Sequence, residues 1–123
     1  MAYTKIIFVA FAIEDERQRD LLKGQSLNTS SPFEYVDMSV KEPYDSEWKA
    51  RVSTRIRRSD GIIAFVSKNS LTSSGQKWEI ECARREKKKV LGVWAYTNDR
   101  TNLPRVNTVV WRWAAIEKFI DML

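Results

Sequence analysis

Residues 61–66 read Gly61-Ile62-Ile63-Ala64-Phe65-Val66, an unbroken apolar run closed by Ser67. A run this short, rich in branched and aromatic side chains, is how a strand covered on both faces reads. A polar stretch follows, then Ser73 with Gln76 three positions on, a spacing that predicts a capping box for a helix from about Gly75 to Glu86. Lys87-Lys88-Lys89 sets cations at the negative end of that helix. Val90-Leu91-Gly92-Val93-Trp94-Ala95 is a second run of the buried kind. Two apolar strands joined through one helix make a parallel βαβ unit, and that unit decides the fold class.

The same alternation extends outward. Lys5 to Phe11 is another apolar strand, followed by a short charged helix over Glu14–Lys23, a loop over Gln25–Pro32 and a second strand over Phe33–Met38. Pro43, Asp45 and Ser46 break the chain, and Ser46 suits the N-cap of a helix running to about Ser59. In that helix Trp48, Val52 and Ile56 stand four apart and form one apolar stripe. Beyond the central unit come a polar loop (Asn98–Asn107), a short strand (Thr108–Trp111) and a terminal helix (Ala114–Leu123). The order predicts an α/β three-layer sandwich, flavodoxin-like, whose five-stranded, mostly parallel sheet has the order 2-1-3-4-5. With no repeat, linker or low-complexity tract, residues 1–123 read as a single domain.

Composition narrows the chemistry. A chain of 123 residues, 43% hydrophobic, is long enough for one core. It has no histidine and a single cysteine, which excludes a Ser-His-Asp triad, imidazole metal ligands, an intrachain disulfide and a Cys-x-x-Cys zinc site. Cys82 reads as a small buried hydrophobe. Gly24, Gly61, Gly75 and Gly92 are too scattered for a phosphate-cradling loop. The net charge of +5 favours anionic partners in general. The basic clusters Arg51-Arg55-Arg57-Arg58 and Arg84-Arg85-Lys87-Lys88-Lys89 read as solvated helix faces rather than a nucleic-acid footprint. No apolar run reaches membrane-spanning length, and Met1–Lys5 shows no signal-cleavage pattern. With the unpaired cysteine, the expectation is a cytoplasmic protein with no membrane contact.

In such a sheet ligands bind beyond the carboxyl ends of the strands, where the strand order reverses. The loops there are Phe11-Ala12-Ile13-Glu14-Asp15 and Ser67-Lys68-Asn69-Ser70. A receiver-type phosphoacceptor needs a carboxylate at the end of the third strand, and Val66-Ser67 supplies none. Phe8, Phe11, Tyr44, Trp48, Trp78 and Trp94 offer stacking surfaces for a nucleotide base, while Phe8, Trp48 and Trp94 also suit the core. Lys68, Asn69 and Ser70 carry the charge and hydrogen bonds a diphosphate needs.

From Val66 to Ala83, read with Phe8-Val9-Ala10-Phe11 and Val90-Leu91-Gly92-Val93, the chain resembles the Toll/interleukin-1 receptor (TIR) family. It is most similar to the small prokaryotic members, including the signal-producing subunit of Thoeris antiphage systems. The family pattern falls on Val9–Phe11, Asp37, Trp48–Arg58, Ile62–Ser67 and Glu79-Ile80-Glu81-Cys82-Ala83. Ala10 replaces a common serine. Gly75 stands where the family tryptophan precedes the catalytic glutamate by four, while Trp78 directly precedes Glu79. This leaves a choice of register between Glu79 and Glu81, and the Glu-Ile-x-x-Ala pattern favours Glu79.

The resemblance implies an NAD glycohydrolase or ADP-ribosyl cyclase of antiviral defence. Such an enzyme releases nicotinamide and makes a (cyclic) ADP-ribose signal for a separate effector. NAD is then the substrate and no cofactor or metal is needed. Glu79 is implied as the catalytic residue, and Phe8, Phe11, Ala12, Asp37, Trp48, Ser67, Asn69, Ser70 and Trp78 as substrate-binding. Family members also self-associate through the loop after the second strand. The chemistry suits the composition: nicotinamide leaves as a neutral molecule without protonation, and one placed carboxylate can stabilise the ribose cation left behind. Glu79, near a helix N-terminus, is expected to stay ionised. Two other classes stay open: a TIR-like adaptor without catalysis, and a deoxyribosyltransferase-like nucleotide-processing enzyme.

Overall fold

The three apolar runs lie side by side. β1 (Lys5–Ala10) pairs with β3 (Gly61–Val66), Ile7 beside Gly61 and Ala10 beside Ala64, and β3 pairs with β4 (Lys89–Trp94), Val66 beside Trp94. β2 (Phe33–Val36) adds to β1, and β5 (Thr108–Val109) adds to β4. All pairs are parallel, and the five-stranded sheet has the order β2-β1-β3-β4-β5. This computed structural model describes residues 5–27, 33–36 and 47–123, with the backbone alone for 26–27 and 33–36.

The period of two along each strand sorts the apolar side chains into two cores. Ile7, Val9, Phe11, Ile63, Phe65 and Val93 face one side, where Leu22 of α1 (Glu16–Leu27) and Ile116, Phe119 and Ile120 of α4 (Trp113–Asp121) cover them. Phe8, Ala10, Ile62, Ala64 and Val66 face the other, under Trp48, Val52 and Ile56 of α2 (Trp48–Arg58) and Ile80, Cys82 and Ala83 of α3 (Ser74–Arg85). Helices on both faces explain why the central strands carry no polar alternation.

Several boundaries differ from the sequence reading. α1 begins at Glu16 after a 3-10 turn over Ile13–Asp15 and runs to Leu27, into the expected loop, because nothing before Leu27 breaks it. The last strand is two residues long rather than four. Ser46 lies outside the described residues, and the position before α2 is Glu47, whose side chain makes no cap bond. α3 ends at Arg85 in a Schellman turn, with Lys88 N–H donating to the Ala83 carbonyl at 2.9 Å and Lys87 N–H to that of Arg84 at 3.0 Å. Lys87 takes the left-handed conformation at φ 58°, so the lysines form the exit from the helix rather than its last turn.

The expected capping box is half present. Ser73 Oγ accepts the Gln76 N–H at 3.2 Å, but the Gln76 side chain does not return to Ser73. The reciprocal box sits earlier, where Ser70 Oγ accepts the Ser67 N–H at 3.1 Å and Ser67 caps the 3-10 turn Lys68–Leu71. Among the described residues no helix is long and apolar enough to cross a membrane.

Candidate active site

The loop after β1 delivers Asp15, fully buried, to the carboxyl edge of the sheet. Its carboxylate accepts three side-chain hydrogen bonds: from Ser67 Oγ at 2.6 Å, from Asn69 Nδ2 at 2.9 Å and from the Tyr96 hydroxyl at 2.7 Å. These come from the ends of β3 and β4, so one carboxylate ties three strand ends together. Loss of water and the neighbouring Asp15 carboxylate push the Tyr96 hydroxyl up to about 12, which keeps it a donor. Lys68, Asn69, Tyr96, Arg100 and Thr101 line a cleft of about 550 Å³ beside this hub. Asp99 braces the cleft by accepting the Lys68 N–H at 2.9 Å, and its carboxyl lies below the usual carboxylate range, chiefly through the Thr101 hydroxyl.

Bonds continue from this hub to α3. Ser70 Oγ donates to the Phe65 carbonyl at 3.2 Å. Gln76 Nε2 donates to the same carbonyl at 2.6 Å and to the Ala10 carbonyl at 3.1 Å. The amide thus bridges β1 and β3 at the point where the connections diverge, the position at which doubly wound sheets bind ligands. Glu79 follows one turn along the same buried face and is 4% exposed. None of the described residues hydrogen-bonds its carboxyl. Burial pushes it up to about 8. This overturns the expectation of an ionised Glu79. α3 begins at Ser74, so Glu79 lies past the first turn, where the helix dipole fades, and desolvation prevails.

The structure divides the sequence-derived candidates into two groups. Phe8, Trp48 and Trp78 lie on the Glu79 face: Phe8 is fully buried in that core, and Trp48 meets Trp78 edge-on with ring centroids 5.2 Å apart. Lys49 and Arg85 lie over the half-buried Trp78 ring. Phe11 belongs to the opposite core, its ring under the Arg19 guanidinium at 5.0 Å, so it does not meet Glu79. The alternation of strand positions puts odd and even residues on opposite faces, which forbids Phe8 and Phe11 from sharing one stack. Ala12 is buried, and its carbonyl accepts the Asp15 N–H at 2.8 Å. Ser67 and Asn69 bond Asp15 in the hub, and Ser70 stands behind them, bonded to the Ser67 N–H and the Phe65 carbonyl. Trp94 donates its indole N–H to the Thr101 carbonyl at 3.0 Å. Asp37 and Tyr44 lie outside the described residues. The structure also separates the two glutamates, since Glu81 is half-exposed and pairs with Arg84 at 3.0 Å.

Residues 8–100 match the family described as Thoeris protein ThsB, TIR-like domain. The chain belongs to this family. The ThsB TIR-like match takes in the Asp15 hub and the Gln76–Glu79 face, and leaves β5 and α4 beyond it. No curated protein matches the chain. Among solved structures, the CMP N-glycosidase BcmB of Clostridium botulinum is similar in fold, with a TM-score of 0.60 over 96% of this chain and 98% of that one at 20% identity.

The sequence reading placed Asp15 in the loop at the carboxyl edge without giving it a role, and it did not find Tyr96 in the hub or Gln76 in the strand bridge. Asp15 and Tyr96 each follow closely on a buried strand, which was the available signal. Gln76 was assigned to the helix cap and proves to serve the sheet. Among the described residues no cluster of histidine, cysteine, aspartate and glutamate could hold a metal ion.

Proposed function

We propose that this ThsB TIR-like chain cleaves NAD at the nicotinamide–ribose bond, with Glu79 as the catalytic carboxyl. The observation that carries the reading is Glu79 itself, a buried carboxyl that none of the described residues hydrogen-bonds, one turn from the strand-end bridge. A group held this way has an environment tuned for charge change and gains nothing for stability. The fold it shares with a CMP N-glycosidase also hosts glycosidic bond cleavage.

In the reaction the C1′–N bond breaks and its electron pair goes to the nicotinamide ring, which leaves neutral. The positive charge then resides on the ribose as an oxocarbenium ion. The cationic ring of bound NAD draws Glu79 toward its ionised form, and the carboxylate opposes the ribose cation in a water-poor setting where its charge acts strongly. Water adds to give ADP-ribose, or an internal nucleophile of the same molecule adds to give a cyclic product. Either path releases one proton. Exclusion of water favours the cyclic product. In this reading the product is a diffusible signal for a separate effector, and self-association uses the segment between β2 and α2.

The fold neighbour favours a second reading, N-glycosidic cleavage of a nucleoside monophosphate at the same carboxyl. One experiment tests both. Purified protein, with and without extract of infected cells, is incubated with NAD or CMP and the products are separated by chromatography. Nicotinamide is expected from NAD, with the rate reduced about 100-fold or more in Glu79→Gln. An undiminished rate in Glu79→Gln removes that residue from the reaction, and cytosine release with NAD left intact establishes the second reading instead.

A further inference from the structure

Between β4 and β5 the chain turns through Leu103-Pro104-Arg105-Val106, where the Val106 N–H donates to the Leu103 carbonyl at 3.2 Å. Proline in the second position and a φ of 66° at Arg105 in the third make this a type II turn, whose third position ordinarily takes glycine. An arginine is held there against its backbone preference, and such strain gathers at functional sites. The Arg105 carbonyl accepts a bond from the Arg84 guanidinium, yet among the described residues nothing bonds or pairs with the Arg105 side chain. The turn walls a groove of about 350 Å³ against α3, which shares no lining residue with the cleft beside Asp15 and does not include Glu79. Its floor is apolar, built from Leu71, Ile80, Leu103, Pro104 and Val106, and Leu71 is 45% exposed. On the rim, Glu81 and Arg84 neutralise each other at 3.0 Å. Lys77 Nζ reaches only the Leu71 carbonyl, at 2.5 Å, so Lys77 and Arg105 are cations that no described carboxylate compensates.

We propose that this groove docks an acidic segment of a partner protein, with an apolar side chain on the floor and flanking carboxylates on Lys77 and Arg105. An apolar centre inside a polar rim is the anatomy of a protein-docking surface. A small apolar molecule uses the floor and leaves both cations unused. A nucleic-acid backbone uses the cations and sets nothing apolar on the floor. A second copy of this chain also carries +5, so like charge opposes its approach. The same net charge draws an acidic segment in and speeds the encounter. Pro104 fixes the turn, so the Arg105 guanidinium is presented from a rigid base, and its planar fork suits a carboxylate. The surface does not depend on the reading of Glu79.

The test titrates the intact, methyl-labelled chain with the end-capped peptide Asp-Glu-Leu-Glu-Asp, and the methyl resonances of Leu71, Ile80, Leu103 and Val106 report on the groove. Asn-Gln-Leu-Gln-Asn removes the carboxylates, and Asp-Glu-Ser-Glu-Asp removes the apolar anchor. At about 50 mM salt the acidic leucine peptide is expected to bind about tenfold more tightly than either control. Salt at about 0.5 M is expected to erase most of its advantage over the amide peptide. Arg105→Gly removes the cation from a position that suits glycine. Its urea midpoint is expected at or above that of wild type, while the preference for carboxylates falls to about threefold or less. A midpoint below wild type, or failure to fold, means that Arg105 serves the fold and overturns the proposal. Absence of binding, shifts confined to other methyls, equal affinity for the amide peptide and an unchanged preference in Arg105→Gly each do the same. Shifts of the four reporters on concentrating the protein alone assign the groove to a second copy and also overturn it.

Discussion

The hydroxyl of Ser67 donates to the carboxylate of Asp15 at 2.6 Å, joining positions 52 residues apart in the chain. That bond, with those from Asn69 and Tyr96, makes Asp15 the clamp that holds the ends of β3 and β4 against the loop after β1. Asp15→Ala strands three donors, all of them on buried or half-buried residues, and is expected to cost roughly 3–5 kcal/mol of stability. Tyr96→Phe removes one donor and is expected to cost about 1 kcal/mol. Urea unfolding midpoints at unchanged slope check both. A midpoint in Asp15→Ala equal to that of wild type means the clamp carries no load.

Gly92 in β4 lies against the start of β5. A Cβ there would come within 2.5 Å of Thr108 Oγ1, 2.7 Å of Val106 Cγ1 and 3.1 Å of the Asn107 carbonyl oxygen. Gly92 N–H also donates to that carbonyl at 2.8 Å, so the strand cannot retreat without losing a bond. Gly92→Ala is expected to cost roughly 1–3 kcal/mol and to speed amide exchange at Thr108 and Val109 before β1 is affected. Gly24 is the contrast. It sits inside α1 with nothing within 4 Å of its Cβ position. Gly24→Ala is expected to stabilise by about 0.5–1 kcal/mol. The opposite ordering of the two melting temperatures would contradict the packing described.

The α/β class and the parallel sheet were legible because Ile62-Ile63-Ala64-Phe65-Val66 and Val90-Leu91-Gly92-Val93 leave no alternative to burial on both faces. Membership of the ThsB TIR-like family was legible in the order and spacing of several weak motifs. What escaped the sequence was the use of polar side chains. Ser73 and Gln76 carry a capping-box spacing, yet two carbonyls at the ends of β1 and β3 hold Gln76 more firmly than one N–H could. Phe8 and Phe11 both looked available for stacking, and only the parity of strand positions assigns them to opposite cores. The charge on Glu79 depends on burial that no local pattern encodes.

That burial makes stability depend on pH with a definite sign. Glu79 moves from an ordinary value of 4.5 to about 8 in the folded protein. Between those values the folded state holds a proton that the unfolded state has released. Stability from this group is therefore complete below the lower value and declines as pH rises through the window, by about 1.4 kcal/mol per unit. Glu79→Gln removes the effect. The wild-type unfolding free energy is expected to fall relative to that of Glu79→Gln by on the order of 2–4 kcal/mol between about pH 5 and about pH 8. Parallel pH curves for the two proteins would show that the carboxyl is hydrated or paired in solution.

The same carboxyl dictates the direction of the pH–rate profile, and the direction separates the two readings of the reaction. If NAD is cleaved, Glu79 acts as a carboxylate, so kcat/KM is expected to rise about tenfold per unit toward a plateau above about pH 8, following the free enzyme. In the complex the cationic nicotinamide ring favours ionisation, so kcat levels off at lower pH than kcat/KM. A cytosine leaving group carries no charge and departs only with a proton, which neutral Glu79 can donate. For CMP the profile inverts, with kcat/KM falling above about pH 8. Steady-state rates from about pH 6 to about pH 9 therefore report which form of Glu79 does the chemistry, independently of which product is identified. A flat profile for both substrates would remove Glu79 from the rate-determining step.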